Sequence, residues 1–530
     1  VFNFTFAALQ NPNNRKMIKK ALAIIFTLLT NYQLFAQAVF QKTFTQGNSS
    51  TLSQIIKTND GGLAAIGTYE NGNDDIWLVK TDAAGNVQFT TTLTGAGAEN
   101  AFGLVQSSGG DYFICGSIET GNNAAILLSA INASGNTIWQ KTFEGGKTDI
   151  AQSITLANNG DILIAGYSTS IGIAYPKGFI IRTDATGNMK WAKAYTQINT
   201  QSFNKVIEAN DGSILVAGYQ VAFGNTDKDW VVLNTDSTGT LNWGYTYGDL
   251  SDEEAFDIIQ VGGFYYVAGY SASAGAGSRD MFVMQLGLSG NILAGRVIGT
   301  DKSETAYNIH YYDNTSLAIT GTSEITSVAG NKEVGTIIRT DFLLNPYQAT
   351  YLGDSNAVFN PVSSIVTASG KIALAGKFKS PGSSNYIGLM MQNNLAYSAA
   401  CNELYPTIIA SAYIPNHLAQ STEMGAPFLM QTATLISGNP TISNNTLCFT
   451  TGMPDDIENP NYYPNPATHL LQFSHRWEGS IIELYNTNGT KCYQSLINNN
   501  NISITGLPAG LYMALVSKNT QVYRFKFIKQ

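Results

Sequence analysis

The residues able to do chemistry in this chain are mostly carboxylates at a repeating interval. Their spacing decides between a metal site, an acid pair and a turn. One set opens the runs DAAGN (Asp82–Asn86), NASGN (Asn132–Asn136), DATGN (Asp184–Asn188) and DSTGT (Asp236–Thr240). Asp or Asn followed three residues later by Gly fits a type I turn closed by a bulge: the side-chain oxygen accepts from backbone N–H groups and Gly takes the positive φ. The runs lack the dense oxygen-ligand spacing of a calcium loop. A second set stands two residues before a small residue where a strand begins: Glu99 before Ala101, Asp149 before Ala151, Glu253 before Ala255 and Glu304 before Ala306. A ring of such acids is able to hold a cation, but recurrence in unit after unit favours a hydrogen bond that fixes a loop.

Nucleophile and metal motifs are absent from the sequence. There is no G-x-S-x-G, no H-E-x-x-H and no Cys/His cluster, and the chain has four His, of which His469 and His475 fall outside the repeat described below. The reading therefore assigns no catalytic residue, no metal ligand and no cofactor. His310 (in IHYYD) and the acidic loop Asp249–Glu254 (DLSDEE) depart from the repeat, and departures are where a specific site is expected. Tyr175, Tyr311 and Tyr312 are able to stack on a sugar ring; with Asp227 they make up the candidate ligand-binding set.

The elements that must position these groups are short strands. A small-residue strand ending in Gly recurs as AAIG, FICG, LIAG, LVAG, YVAG, AITG and ALAG, with glycines at 67, 116, 166, 218, 269, 321 and 376. A period of about 50 residues holding four strands is that of a β-propeller blade, and seven glycines predict seven blades. Each unit has four parts, illustrated by QKTF, LSQIIKT, GLAAIG and IWLVKTD. The chain begins with the first part and runs out after the seventh copy of the last, so Gln41 to Phe44 is expected to pair in the last blade and close the ring, removing an exposed sheet edge.

Composition limits the partners. Charged residues are 12% of the 530, the formal net charge is −8, and the region after the leader has no Lys/Arg cluster, which speaks against nucleic acid. Residues 1–16 read as an upstream extension. Residues 17–38 read as a signal peptide: Lys19 and Lys20, the apolar run Ala21 to Thr30, and an A-x-A site at Ala36 to Ala38. That run is shorter than the roughly 20 residues a spanning helix needs, so no transmembrane segment is expected after cleavage. The propeller is expected over 39–399 and a strap or cap over 400–451, where Cys401 and Cys448 are able to bridge. A polar linker (452–460) follows.

Residues 461–530 change character to the alternating strands of a small sandwich. Tyr463-Pro464-Asn465-Pro466, LYNTNG ending at Gly489, LPAGLY containing Gly510 and Tyr512, and a Lys-rich last strand occur in that order at the C-terminus. Together they resemble the type A sorting domain of the Bacteroidetes type IX secretion system. The resemblance implies an immunoglobulin-like fold, recognition by the secretion machinery, and proteolytic removal with release or surface attachment. The whole chain thus reads as all-β, a seven-bladed propeller followed by a sorting sandwich. The favoured function is a secreted or surface-attached binding protein whose loops recognise a glycan or protein. The alternative is a carbohydrate-active or other hydrolytic enzyme with its site in the propeller funnel.

Overall fold

The computed structural model describes residues 39–529 except 173–174, 196–198, 222–223, 225, 328–329, 353–357, 381, 394–402, 405–408, 420–423, 427, 434, 439, 441, 451–461, 464–467, 474–476, 486–490 and 519–520. The leader, the 452–460 linker, Cys401, Pro464, Asn465, Pro466 and Gly489 therefore lie outside the described residues. Two compact units separate at Thr450/Thr451.

The first unit is a ring of seven sheets, each an antiparallel meander of four repeat strands plus one later strand. Blade 1 runs Ser50–Lys57, Leu63–Glu70, Asp74–Thr81 and Val87–Thr94 from the axis outward, and blades 2 to 6 repeat the order. Blade 7 takes Val358–Val366, Ile372–Lys379 and Ile387–Asn393 from one end of the repeat and Val39–Thr45 from the other, with Phe40 opposite Gln392 and Phe44 opposite Gly388. The second and third strands are covered on both faces by neighbouring blades, so they carry continuous apolar runs such as IWLV rather than an alternation.

The Gly that marks each unit is dictated by a bulge. On every innermost strand the register slips by one residue beside that Gly, as between Leu52 and Gln54 opposite Gly67 and Ile66. The slip pushes a carbonyl onto the glycine: a Cβ on Gly67 would sit inside the envelope of Thr51 O, and the same holds for Gly166 with Ile150 O and Gly321 with Thr305 O.

The DxxGN runs form the outer hairpin turns. Asp82 Oδ1 accepts from Ala84 N at 2.8 Å and Asn86 N at 2.9 Å, and Gly85 has φ +75°. Burial would raise the Asp184 carboxyl, but hydrogen bonds from Thr186 and Asn188 outweigh it and hold the group at about 2. These acids are thus occupied as anions by their own turns.

Each turn Gly also seats an aromatic ring from the preceding blade: Phe40 under Gly85, Phe89 under Gly135, Trp139 under Gly187, Trp191 under Gly239 and Trp243 under Gly290. Lys42 and Lys141 clamp the contact by donating to Asn86 at 2.9 Å and Asn188 at 2.8 Å. One contact inverts the arrangement. Ala294 stands where the fifth blade should carry the ring, and the turn of blade 6 has Leu344 instead of Gly, at φ +65° and fully buried in the same apolar cluster as Ala294. Leu344→Gly relieves about 1–2 kcal/mol of left-handed strain but empties a leucine site worth about 2–5 kcal/mol, so net destabilisation is expected. Adding Ala294→Trp should restore part of it, which the denaturation midpoints of the single and double variants will show.

Residues 403–450 form a belt. Glu403–Leu404, Ile409–Ala412, Asn416–Ala419, Met424–Gly425, Leu429–Thr432 and Ile436–Gly438 add outer strands to blades 6, 5, 4, 3, 2 and 1 in turn, and Ser443–Thr450 pairs with Val39–Thr45 of blade 7. The belt so runs once round the ring against the order of the blades and leaves the N-terminal strand held on both edges. Between its strands it plugs the grooves: Phe428 is buried edge-on to Phe179 at 5.0 Å, and Tyr413 meets Phe282 at 5.1 Å.

The second unit has a three-stranded sheet (Tyr462–Tyr463, Leu470–Phe473, Asn501–Ser503) and a four-stranded one (Lys491–Leu496, Ile481–Tyr485, Gly510–Lys518, Gln521–Lys529). Leu471, Trp477, Ile482, Leu484, Tyr512 and Val516 fill its own core, and Tyr512 Oη donates to Pro508 O at 2.9 Å.

Candidate binding surface on the loop face

Hairpins of a meander fall alternately on the two edges of its sheet, so the ring has two unlike faces. The turns between first and second and between third and fourth strands share one face. The loops between second and third strands, two to eight residues long, share the other with the links between blades, and this is the loop face.

This alternation divides the sequence-derived candidates. Tyr175, 43% exposed with Lys177 Nζ 5.8 Å from its ring, and Asp227, beside Thr226, lie in loops of blades 3 and 4 on the loop face. Tyr311 and Tyr312 lie at the opposite face in the first hairpin of blade 6. There Tyr311 stacks on Phe342 and donates to Asn314 at 2.6 Å, and Tyr312 lies under the Arg339 guanidinium at 4.4 Å. The four do not converge.

A contiguous patch that sequence reading missed runs along the loop face of blades 4 to 6. It is built from two positions per blade: the bulged residue of the innermost strand, left without a register partner (Asn204, Phe256, Tyr307), and the residue after the marker Gly (Tyr219, Tyr270). Phe256 lies 5.1 Å from Tyr307 and 6.1 Å from Tyr270. Lys228 Nζ sits 4.1 Å over Tyr219 and 2.7 Å from Glu254, which also accepts from Asn204 at 3.0 Å; Arg279 lies 4.4 Å over Tyr270 and is exposed. Burial, with Glu254 nearby, pushes the Tyr219 hydroxyl up to about 12, so it is a neutral donor at any physiological pH. Tyr270 is 2% exposed and serves as the seat of Arg279, so the half-buried rings of Tyr219, Phe256 and Tyr307, flanked by fixed cations, amides and a carboxylate on a rigid ring, form the recognition surface. The signal was the AGY triplet of Tyr167, Tyr219 and Tyr270, plus an aromatic after Ala in Ala255-Phe256 and Ala306-Tyr307.

The departures singled out in the sequence have structural work. His310 Nε2 lies 2.7 Å from Ser364 Oγ, which contacts Thr320 and donates to Asn308 at 3.2 Å. Other blades carry Ile, Leu or Val where Ser364 stands (Ile55, Leu104, Ile154, Val206), so these polar substitutions are matched across the interface of blades 6 and 7. Burial lowers the His310 imidazole to about 4, leaving it neutral, and Ser364 is 4% exposed, closed to a substrate. The acidic loop fastens the belt: Asp249 accepts from Tyr413 Oη at 2.6 Å and from Asn416.

The recurrent acids at the start of the innermost strands fix loops. Gly95 N donates to Glu99 at 2.9 Å, Gly145 N to Asp149 at 2.7 Å and Thr300 N to Glu304 at 3.1 Å, and all three acids are at most 2% exposed. Among the described residues no group of three or more His, Cys, Asp or Glu is placed to hold a metal ion, and no helix is long and apolar enough to cross a membrane.

Residues 461–530 match the family of secretion system C-terminal sorting domains. The chain is therefore a seven-bladed propeller protein carrying a type IX secretion sorting domain, which directs export to the cell surface or the medium and engages the secretion machinery. The regulatory protein FlaEY of Caulobacter vibrioides is 24% identical over 313 residues, 46% of this chain and 32% of that protein, so the chain spans about a third of the relative's length. Among solved structures, Sqt1 of Chaetomium thermophilum is similar at 10% identity and TM-score 0.40 over 68% of this chain and 98% of that one. PorZ of Porphyromonas gingivalis, described as an essential surface component of the type IX secretion system, is similar at 11% identity and TM-score 0.23 over 90% and 81%.

Proposed function

We propose that the exported propeller binds an extracellular glycan or protein at the loop-face patch of blades 4 to 6 without turning it over. The observation that carries this reading is the grouping of the half-buried Tyr219, Phe256 and Tyr307 with Lys228 over Tyr219 and the exposed Arg279 seated on the buried Tyr270. Tyr175 and Asp227 form the adjoining rim, and the signal peptide and removal of the sorting domain complete the export route. The acids that stand between blades, Asp75, Glu99, Glu253, Asp280 and Glu304, are at most 2% exposed, which closes them to a glycosidic bond.

The test is a glycan array and a surface-protein pull-down with the purified ring, followed by titration of any ligand found. Tyr307→Ala and Arg279→Ala should each weaken binding about tenfold or more, as central aromatic and Arg anchors do, while the melting temperature stays close to that of the parent. Tyr311→Ala, on the opposite face, should bind normally. Equal affinity in all three variants would move the site elsewhere. Multiple turnover of a polysaccharide or peptide, abolished by a single carboxyl substitution, would replace this reading with the enzyme.

A further inference from the structure

The acids of the innermost strands have partners that loop fixing does not explain. In three of the seven blade interfaces the third strand of the preceding blade carries a second carboxyl at the same register position, opposite the residue two after the marker Gly: Asp75 for Glu99, Asp229 for Glu253, and Asp280 for Glu304. The spacing is 24 residues each time. Asp75, Glu99, Glu253, Asp280 and Glu304 are at most 2% exposed. A Cβ placed on Gly299 would lie within 2.6 Å of an oxygen of both Asp280 and Glu304, so those oxygens are less than about 5 Å apart. Asp75 Oδ1 and Glu99 Oε1 are both buried without a hydrogen-bond partner, a deficit that a proton held between the two carboxyls would relieve.

Neighbouring charges do not supply the missing compensation. Tyr69 and Glu119 face the first pair; Asp227, Asp249, Tyr270 and the belt's Tyr413 face the second. Asp301, Tyr351 and Lys302 face the third, and Lys302 is committed to Asp301 at 2.8 Å. Glu253 accepts from Ser271 Oγ at 2.9 Å and Ser273 N at 3.2 Å, and Glu304 from Thr300 Oγ1 at 2.6 Å, much as Asp149 accepts from Gly145 N, Ser170 Oγ and Ser168 Oγ. What differs is the second carboxyl: between blades 2 and 3 the outer position is Ala125, and between blades 3 and 4 the two positions hold Lys177 and Gln201.

We infer that each of these three interblade carboxyl pairs holds a shared proton, so that blades 1–2, 4–5 and 5–6 are pinned by protons and loosen together as the pH rises. The electrostatics agree in sign. Burial raises all six groups, with Glu99 at about 7 and Asp229 at about 6, and the partner's charge adds to the rise of Glu99, Asp229 and Glu304. A carboxyl raised in the folded state stabilises fully below its unfolded value, and that stabilisation is lost as the pH climbs through the folded value. The window is therefore from about pH 4 to 7. Because the loosened contacts lie on the loop face, the device acts on the face that carries the proposed ligand patch, although it stands without that assignment.

The experiment is thermal unfolding of the full chain across this window, beside the variant Glu99→Gln/Glu253→Gln/Glu304→Gln, whose amides keep a donor for each aspartate without titrating. The folded-to-unfolded ratio of the parent should fall about tenfold per pH unit for each pair titrating, and the variant's profile should be markedly flatter. If the variant folds poorly, infrared difference spectra of the parent decide instead: a buried protonated-carboxyl band should be present at pH 5.5 and vanish towards pH 8. Equal slopes in parent and variant, or no such band, would overturn the proposal. So would stabilisation of the parent by millimolar calcium that chelation reverses, since the pairs would then hold a metal ion rather than a proton.

Discussion

Gly166→Ala is expected to unfold the third blade, with a loss of roughly 4 kcal/mol or more, in the range reserved for core disruption. One methyl group does this because the bulge beside Ala151 turns the Ile150 carbonyl onto the glycine, and the obstructing atom is backbone rather than the end of a flexible side chain. Relief would require undoing the bulge, which shifts the register of Asp149–Leu156 and turns its buried positions to the other face of the blade. A second glycine separates this cause from ordinary glycine flexibility. Gly212 has φ +82° and open space where a Cβ would go, so Gly212→Ala should cost only about 1–2 kcal/mol through its backbone conformation. Denaturation midpoints of the two variants check the ranking; similar losses would mean that the marker glycines are conserved in the repeat by turn-like strain rather than by the bulge.

The same two local rules explain why so much of the ring was readable. A bulge that admits only Gly leaves its mark in every blade, and a turn that needs Asp or Asn with Gly leaves one in blades 1 to 4, so these marks count blades without any tertiary knowledge. What escaped reading lacks such marks. The belt strands are two to eight residues long, and the side chains that fasten them, such as Asn416, His417 and Gln431, follow no common spacing, so no side-chain period announces them. The loop-face patch uses positions where each blade differs, and its members are joined only when Phe256 of one blade meets Tyr307 of the next. Tyr311 and Tyr312 were singled out as aromatics without the hairpin alternation that sets them on the other face from Tyr175. The carboxyl pairs were half visible: Glu99 and Glu304 stood out by recurrence, whereas Asp75 and Asp280 sit inside apolar third strands and become their partners through closure of one blade on the next.

Two truncations should separate export from ring integrity. A chain ending at Thr450 keeps every strand of the ring, and the C-terminal unit that it lacks has a core made of its own residues, so the propeller is expected to fold with nearly unchanged stability. It should nevertheless fail almost completely to reach the surface or medium, because the sorting domain that addresses it is gone. A chain ending at Asn393 removes the belt as well. Val39–Thr45 then keeps Ile387–Asn393 on one edge but loses Ser443–Thr450 on the other, and the grooves lose the buried Phe428, a removal that costs about 3–5 kcal/mol, together with the partly buried Tyr413. The N-terminal strand closes the ring from the far end of the chain, so it is the element whose docking the belt most affects. Protease digestion and cell fractionation of both chains give the readout: the longer one resistant but retained, the shorter one cut near Thr45. Surface delivery of the Thr450 chain at normal levels would remove the export role of the C-terminal unit. Protease resistance of the Asn393 chain equal to that of the longer one would show that seven four-stranded blades hold the ring closed without the belt.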